Sequence, residues 1–164
     1  INKYWDEIGW IYDSLGYNAK SRNSSTIKNT VIQLYYEAGV KKWGDKYDIV
    51  LGGGFLRLRS PYYLFAGEVR YSDLLSILPF DNELVLCSIK GSDLLSKFIN
   101  TNNSNYFIAR ADSRNIDPNA TYYIIVDSYT STYAPNRLTE IERWGSDVFA
   151  RDLLADYIEA GNFE

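Results

Sequence analysis

Apolar residues return with a helical period in four stretches of the chain and cluster in short runs between them. Trp5, Ile8, Tyr12 and Leu15 fall at helical spacing within Tyr4 to Leu15, interrupted by Gly9, and predict a first helix. A polar stretch, Asn18 to Ser25, follows. Ser24 or Ser25 then stands in position to cap a helix with Ile27, Val31, Leu34, Tyr35 and Ala38 on one face, and Gly39 predicts its C-terminal stop. Tyr47 to Leu51 reads as a short strand running into Gly52-Gly53-Gly54, with a loop around Pro61. Gly67 to Val69 is extended, and Ser72 caps a brief helix through Leu78 that Pro79 terminates. Glu83 to Ile89 predicts a strand, and Gly91-Ser92 opens a helix burying Leu94, Leu95, Phe98 and Ile99. Beyond an asparagine-rich loop, Asn100 to Asn105, strands are expected at Tyr106 to Ala109, Thr121 to Asp127 and Leu138 to Trp144. The loops between them are Asp112 to Ala120 and Ser128 to Asn136. Ser146 predicts the cap of a last helix, Asp147 to Ala160, with Phe149, Leu153, Leu154, Tyr157 and Ile158 inward and Gly161 as its stop.

Helices and strands intermingle without strict βαβ repetition, so the expected fold class is α+β, a single domain with a mixed β-sheet and flanking helices. A length of 164 residues with 46% hydrophobic composition supports one ordinary core. The longest clean apolar run, Tyr122 to Val126, is strand-sized, so no membrane span is expected. The net charge of -4 argues against binding the phosphate backbone of nucleic acid. A chain that starts at Ile1 and contains no Met is expected to be a segment of a longer protein.

Composition narrows the chemistry. With no histidine there is no Ser-His-Asp or Cys-His nucleophile system and no imidazole metal ligand within this chain. A single cysteine, Cys87, forms no internal disulfide and no multi-thiolate site. Aromatic residues make up 16% of the chain, with 15 tyrosines, which serves either a core or planar ligands.

Two places carry candidate chemistry. Glycines directly after a strand can turn the backbone and offer N–H groups to an anion, and Arg57 and Arg59 follow closely with guanidinium forks. The same glycines can equally make a plain tight turn, and their spacing fits neither a P-loop nor a dinucleotide fingerprint. Phe80, in Leu78-Pro79-Phe80-Asp81-Asn82, either sits in the core or lines a pocket rim and stacks on a planar ring. Tyr129, just past a strand, faces the same choice.

Together these pieces resemble the C-terminal domain of the 5′-nucleotidase family, which includes periplasmic UDP-sugar hydrolases and ecto-5′-nucleotidases. The matching positions are Gly52 to Arg57, Gly67 to Leu74, Leu78 to Asn82 and the helix start at Gly91, with Arg22 ahead of the capped helix. The resemblance spans residues 20–135 and implies that 1–164 is one such domain, with residues 1–20 an interdomain lead-in. It implies an N-terminal metallophosphoesterase domain, outside this chain, holding divalent metal ions, and no catalytic residue or metal ligand here. The implied partner is a nucleoside monophosphate or nucleotide-sugar, and the implied location extracellular, cell-surface or periplasmic. Carried over, Phe80 and Tyr129 sandwich the base, Arg22 and Arg57 contact phosphate or ribose, and Gly53 and Gly54 shape the binding loop.

The chain departs from the family at two ligand contacts. Where the family writes Asn-x-Gly-Gly-Ile-Arg, Leu51 or Gly52 takes the place of the Asn, and Arg57 aligns only if Phe55 fills a glycine position or one residue is inserted. Where the family has Gly-Gly-Asp-Gly, this chain has Tyr133-Ala134-Pro135-Asn136, so Asn136 alone is left for the ribose hydroxyls. These losses keep open a second reading, a ligand- or protein-binding module that retained the fold without the nucleotide contacts.

Overall fold

The computed structural model describes residues 8–110, 112–133, 137–145 and 149–164. Its centre is a five-stranded mixed sheet in the order β5-β2-β6-β4-β7. These strands are β2 (Ile49–Phe55), β4 (Leu84–Lys90), β5 (Tyr106–Arg110), β6 (Thr121–Asp127) and β7 (Leu138–Arg143). Only β2 and β6 run parallel; the other pairs are antiparallel. A separate antiparallel ribbon joins β1 (Ser14–Asn18) to β3 (Gly67–Arg70). The expected α+β architecture with a mixed sheet and flanking helices is the one observed.

Both faces of the sheet are covered, which explains why the central strands read as unbroken apolar runs. Alternate residues sort to opposite sides: Leu84, Leu86 and Ile125 join the core beneath the long helix α1 (Ser24–Trp43). Val85, Cys87, Ile124 and Val126 join a second core with Leu94 and Phe98. Those two come from α3 (Gly91–Leu94) and the π-helical turn Leu95–Ile99 that continues it. A last helix, α5 (Ala150–Glu159), docks against α1 and β1, and Gly161 ends it at φ +84°.

Four local expectations are corrected. From residue 8 onward the predicted first helix is a 3-10 turn, Gly9–Tyr12, followed by strand β1. The pairing that makes it a strand is with β3, far along the chain, and Asn18 is anchored by donating to Leu64 O and Phe65 O at 3.1 and 3.0 Å. Helix α1 is capped by Asn23, whose Oδ1 accepts the Thr26 N–H at 2.9 Å, and it runs through Gly39 to Trp43. Gly39 is a contact glycine: a Cβ there would lie 2.2 Å from Ile125 Cγ1, so its missing side chain lets the helix lie close on β6. Helix α2 (Tyr71–Ile77) starts earlier than expected, with the Asp73 carboxylate accepting the Arg70 N–H at 2.7 Å. The expected loop after β6 begins with a helix, α4 (Ser128–Tyr133). The predicted cap Ser146 and the residues up to 148 lie outside the described residues, and α5 starts at Ala150.

The glycine run is likewise no turn. Gly52 to Gly54 continue β2, pairing Gly52 with Ile125 of β6 and Gly53 with Ile108 of β5. A Cβ on Gly52 would stand 2.9 Å from the backbone nitrogen of Tyr36, and one on Gly54 2.9 Å from Thr130 Oγ1. The glycines let helix α1 and the α4 turn approach the strand closely.

A candidate ligand cleft

Three segments meet where β2 and β6 reach their carboxyl ends. The first is the chain leaving β2. It stays extended, with Leu56 and Leu58 buried and Arg57 and Arg59 pointing out. Leu56 N–H donates to Asn105 O and Arg59 N–H to Ile77 O, both at 2.9 Å, which fixes the alternation. The second is the Leu78-to-Asn82 turn after α2; the third is α4, which follows β6. Between them lies a cleft of about 160 Å³ lined by Phe55, Leu56, Arg57, Arg59, Phe80, Asn82, Asp127 and Tyr129. That volume suits one planar ring better than a whole drug-sized ligand.

Phe80 is 54% exposed and Tyr129 42%, so neither is a core residue. The Tyr129 ring stands 6.0 Å from Phe55 at 34° and 5.6 Å from Tyr133. The Arg59 guanidinium lies 5.3 Å from the Phe80 ring centre. Among the described residues neither Arg57 nor Arg59 forms an ion pair with a carboxylate. Lys28 of α1 adds to the same positive field. Burial lowers its pKa, and the nearby Arg57 guanidinium lowers it further. Its ammonium sits 5.2 Å from the Phe107 ring centre.

Beneath the cleft is a buried polar relay. Asp127, 1% exposed, accepts the Tyr35 hydroxyl at 3.0 Å and the Thr130 N–H at 2.8 Å, capping α4. Thr130 Oγ1 in turn accepts the Phe55 N–H at 3.1 Å. Burial raises the pKa of Asp127, while its bonds to Thr130 and Tyr35 pull the other way. Burial, then the Asp127 carboxylate, push the Tyr35 hydroxyl well above its usual value. Asn82 is tied on one side, its Oδ1 accepting from Ser128 Oγ at 3.4 Å and its carbonyl accepting from Ala150 N–H at 2.6 Å.

Of the residues singled out in the sequence, Arg57, Phe80 and Tyr129 come together at the cleft. Gly53 and Gly54 lie inside β2, where they pair with β5 rather than forming a loop. Arg22 is elsewhere. Its Nε donates to Asn18 Oδ1 at 2.9 Å, Nη2 to Phe163 O at 3.3 Å, and its guanidinium covers the Phe163 ring at 3.9 Å. It staples the C-terminal segment to β1. Asn136 lies outside the described residues. The ligand set carried over from the family leaves out Arg59, Asn82, Phe55 and Asp127. Arg59 is legible from its alternation with Arg57; Asp127 is not, because its buried position depends on Tyr35, 92 residues away.

Among the described residues no three His, Cys, Asp or Glu side chains converge in a way that could hold a metal ion, and no helix is long and apolar enough to cross a membrane.

The fold has known relatives. A 5′-nucleotidase precursor from Thermus thermophilus superposes with TM-score 0.60 and 14% identity, over 97% of this chain and 39% of that one. A 5′-nucleotidase from Candida albicans gives TM-score 0.59 and 10% identity, over 97% and 41%. A sulfate thiohydrolase, SoxB, from Thermus thermophilus, solved with glycerol, gives 0.56 and 11%, over 98% and 35%. At such identities the likeness concerns the fold, and the chain spans about two fifths of the length of these structures. No curated protein sequence matches. The family described as "5′-nucleotidase, C-terminal domain" matches residues 11–108, well over half of the chain. The chain belongs to the 5′-nucleotidase C-terminal domain family.

Proposed function

We propose that this domain recognises a nucleotide, taking the base between Phe80 and Tyr129 and the sugar-phosphate portion along Arg57 and Arg59. The observation that carries the reading is convergence. Two solvent-exposed aromatic rings and two arginines, without carboxylate partners among the described residues, line one cleft of single-ring size from three separate segments. An aromatic face stacked on a base contributes about 1–3 kcal/mol and tolerates different bases, while guanidinium groups supply directional bonds to phosphate. Lys28 strengthens the field that attracts the anion. Phosphate-ester hydrolysis then falls to a separate domain, whose divalent ions would activate the attacking water. This chain binds and orients. On the same reading the substrate is a nucleoside monophosphate or nucleotide-sugar, and the parent protein acts outside the cytoplasm.

Calorimetric titration with AMP, adenosine and UDP-glucose tests the proposal. Phe80→Ala and Tyr129→Ala should each weaken binding by about 5- to 150-fold, the equivalent of one lost stack. Absence of binding by all three ligands, or affinity unchanged in both variants, refutes it. A second reading, a binding module without hydrolase partner, is favoured by Leu51 or Gly52 in place of the family's asparagine and by the absent Gly-Gly-Asp-Gly. It predicts binding of a planar or sugar ligand and no metallophosphoesterase sequence in the parent reading frame.

A further inference from the structure

Arg151 is 5% exposed, in the first turn of α5, and every nitrogen of its guanidinium is used. Nε donates to the Tyr71 hydroxyl at 3.0 Å. Nη1 donates to two main-chain carbonyls, Leu78 O at 2.9 Å and Phe80 O at 3.2 Å, and Nη2 to Asp81 Oδ1 at 2.8 Å. The Tyr71 hydroxyl itself donates to Asp152 Oδ1 at 2.5 Å. This is an unfavourable place for a cation as far as the helix is concerned. The N-terminal end of a helix dipole repels positive charge, and burial removes the guanidinium from water. Its compensation comes mainly from the Leu78-to-Asp81 turn and the Tyr71 ring and hydroxyl, with the Phe149 ring at the start of α5 5.9 Å from the guanidinium.

That turn carries Phe80, whose ring is exposed and, among the described residues, packs on no other aromatic ring and has only the Arg59 guanidinium 5.3 Å from its centre. Its orientation therefore depends on how its backbone is held. Pro79 has no N–H to offer, and the carbonyls on either side of it are the two that Arg151 binds. Ala150 N–H holds a further carbonyl of the same turn, Asn82 O, at 2.6 Å. The start of α5 thus grips the turn at three carbonyls, and it lies beyond residues 11–108, where the family match ends.

We infer that Arg151 is a positioning residue for the cleft: it sets the Phe80 ring at stacking distance by clamping the carbonyls of Leu78 and Phe80, and does so without touching ligand. The inference rests on the nucleotide reading above and deepens it.

The test is a double-mutant cycle read by AMP titration on the full 164-residue chain. Arg151→Lys keeps the buried cation but offers a point charge in place of the planar fork, so it cannot span Tyr71, two carbonyls and Asp81 together. It should weaken AMP binding by about five- to tenfold in the wild-type background and not at all in a Phe80→Ala background. Equal affinity of Arg151→Lys and wild type overturns the inference, as does an equal loss in both backgrounds, which marks a general structural role. Should Arg151→Lys fail to fold, Asp81→Ala removes only the exposed anchor; a loss of about two- to threefold, again absent beside Phe80→Ala, supports the clamp, and no loss overturns it. If wild type binds none of AMP, adenosine and UDP-glucose, the nucleotide reading fails alone. The clamp is then judged by amide exchange at Glu83 and Ala150, whose N–H groups bond Ser128 Oγ and Asn82 O. Exchange faster by about tenfold or more in Arg151→Lys supports it, and unchanged exchange overturns it.

Discussion

Gly54→Ala separates two accounts of the glycine run. If these residues formed an anion-binding turn, a methyl group at Gly54 would cost ligand affinity and leave stability almost untouched. In the observed strand the new Cβ would lie 2.9 Å from Thr130 Oγ1, and Thr130 is completely buried. Thr130 has little room to retreat, because its N–H is bonded to Asp127 and its Oγ1 accepts from Phe55 N–H. Displacing the hydroxyl breaks that last bond and leaves a part-buried donor unpaired, at about 1–3 kcal/mol. Replacing glycine by alanine returns about 0.4–1 kcal/mol by restricting the unfolded chain. The net expectation is a loss of about 1–2 kcal/mol, or a urea midpoint lower by about 0.5–1 M at the slopes usual for domains of this class. Because Thr130 neighbours Tyr129 on α4, ligand affinity should fall as well. Tryptophan and tyrosine fluorescence in urea measures the first effect. In a Thr130→Ala background the hydroxyl is gone, and Gly54→Ala should then be neutral or stabilising. Wild-type stability in Gly54→Ala, or the same loss in both backgrounds, refutes the reasoning.

Two further outcomes follow from buried titratable groups. Cys87 is fully buried in the second core and burial pushes its thiol up to about 12, so an aromatic disulfide reagent at about pH 8 should leave it unmodified until urea unfolds the chain; prompt labelling of native protein would contradict its placement. Burial raises the folded-state pKa of Asp127 above its unfolded value, so the neutral form is favoured by folding. Its contribution is fully present below the unfolded value of about 3.9 and is lost as pH rises through the elevated folded value. Wild type should therefore gain stability relative to Asp127→Asn as pH is lowered from about 7 toward about 4, and parallel stability curves for the two proteins would show that Asp127 titrates normally.

Much of the fold was legible because its signals are local. Thr121 to Asp127 and Glu83 to Ile89 announce strands through runs of β-branched and aliphatic residues, and Pro79 and Gly161 stop helices by backbone chemistry that needs no partner. The Leu78-to-Asn82 block and the position just past β6 singled out Phe80 and Tyr129, but left each either in the core or at a pocket rim; the family resemblance paired them, and the structure exposes both at one cleft.

Other features depended on residues distant in the chain. Ser14 to Asn18 is a strand because Gly67 to Arg70 pairs with it, and the glycine run is strand because β5 and β6 pair with it, while helix α1 and Thr130 lie too close for side chains there. The places of Arg22 and Arg59 depend on distant residues for the same reason. Both are exposed-type residues in the sequence, and only packing shows that Phe163 and Asn18 occupy the first while the second is left over the Phe80 ring. Arg151 is the furthest case, since its four acceptors lie 70 to 80 residues earlier. Local periodicity and turn chemistry therefore determined where most elements lie, whereas packing decided that Phe80 and Tyr129 stay exposed and flank the cleft. Which backbone groups are buried, and so which charged side chains must stay to satisfy them, was decided only when the strands were brought together. An unpaired buried polar group is costly, and its partner is selected by proximity in space rather than along the chain.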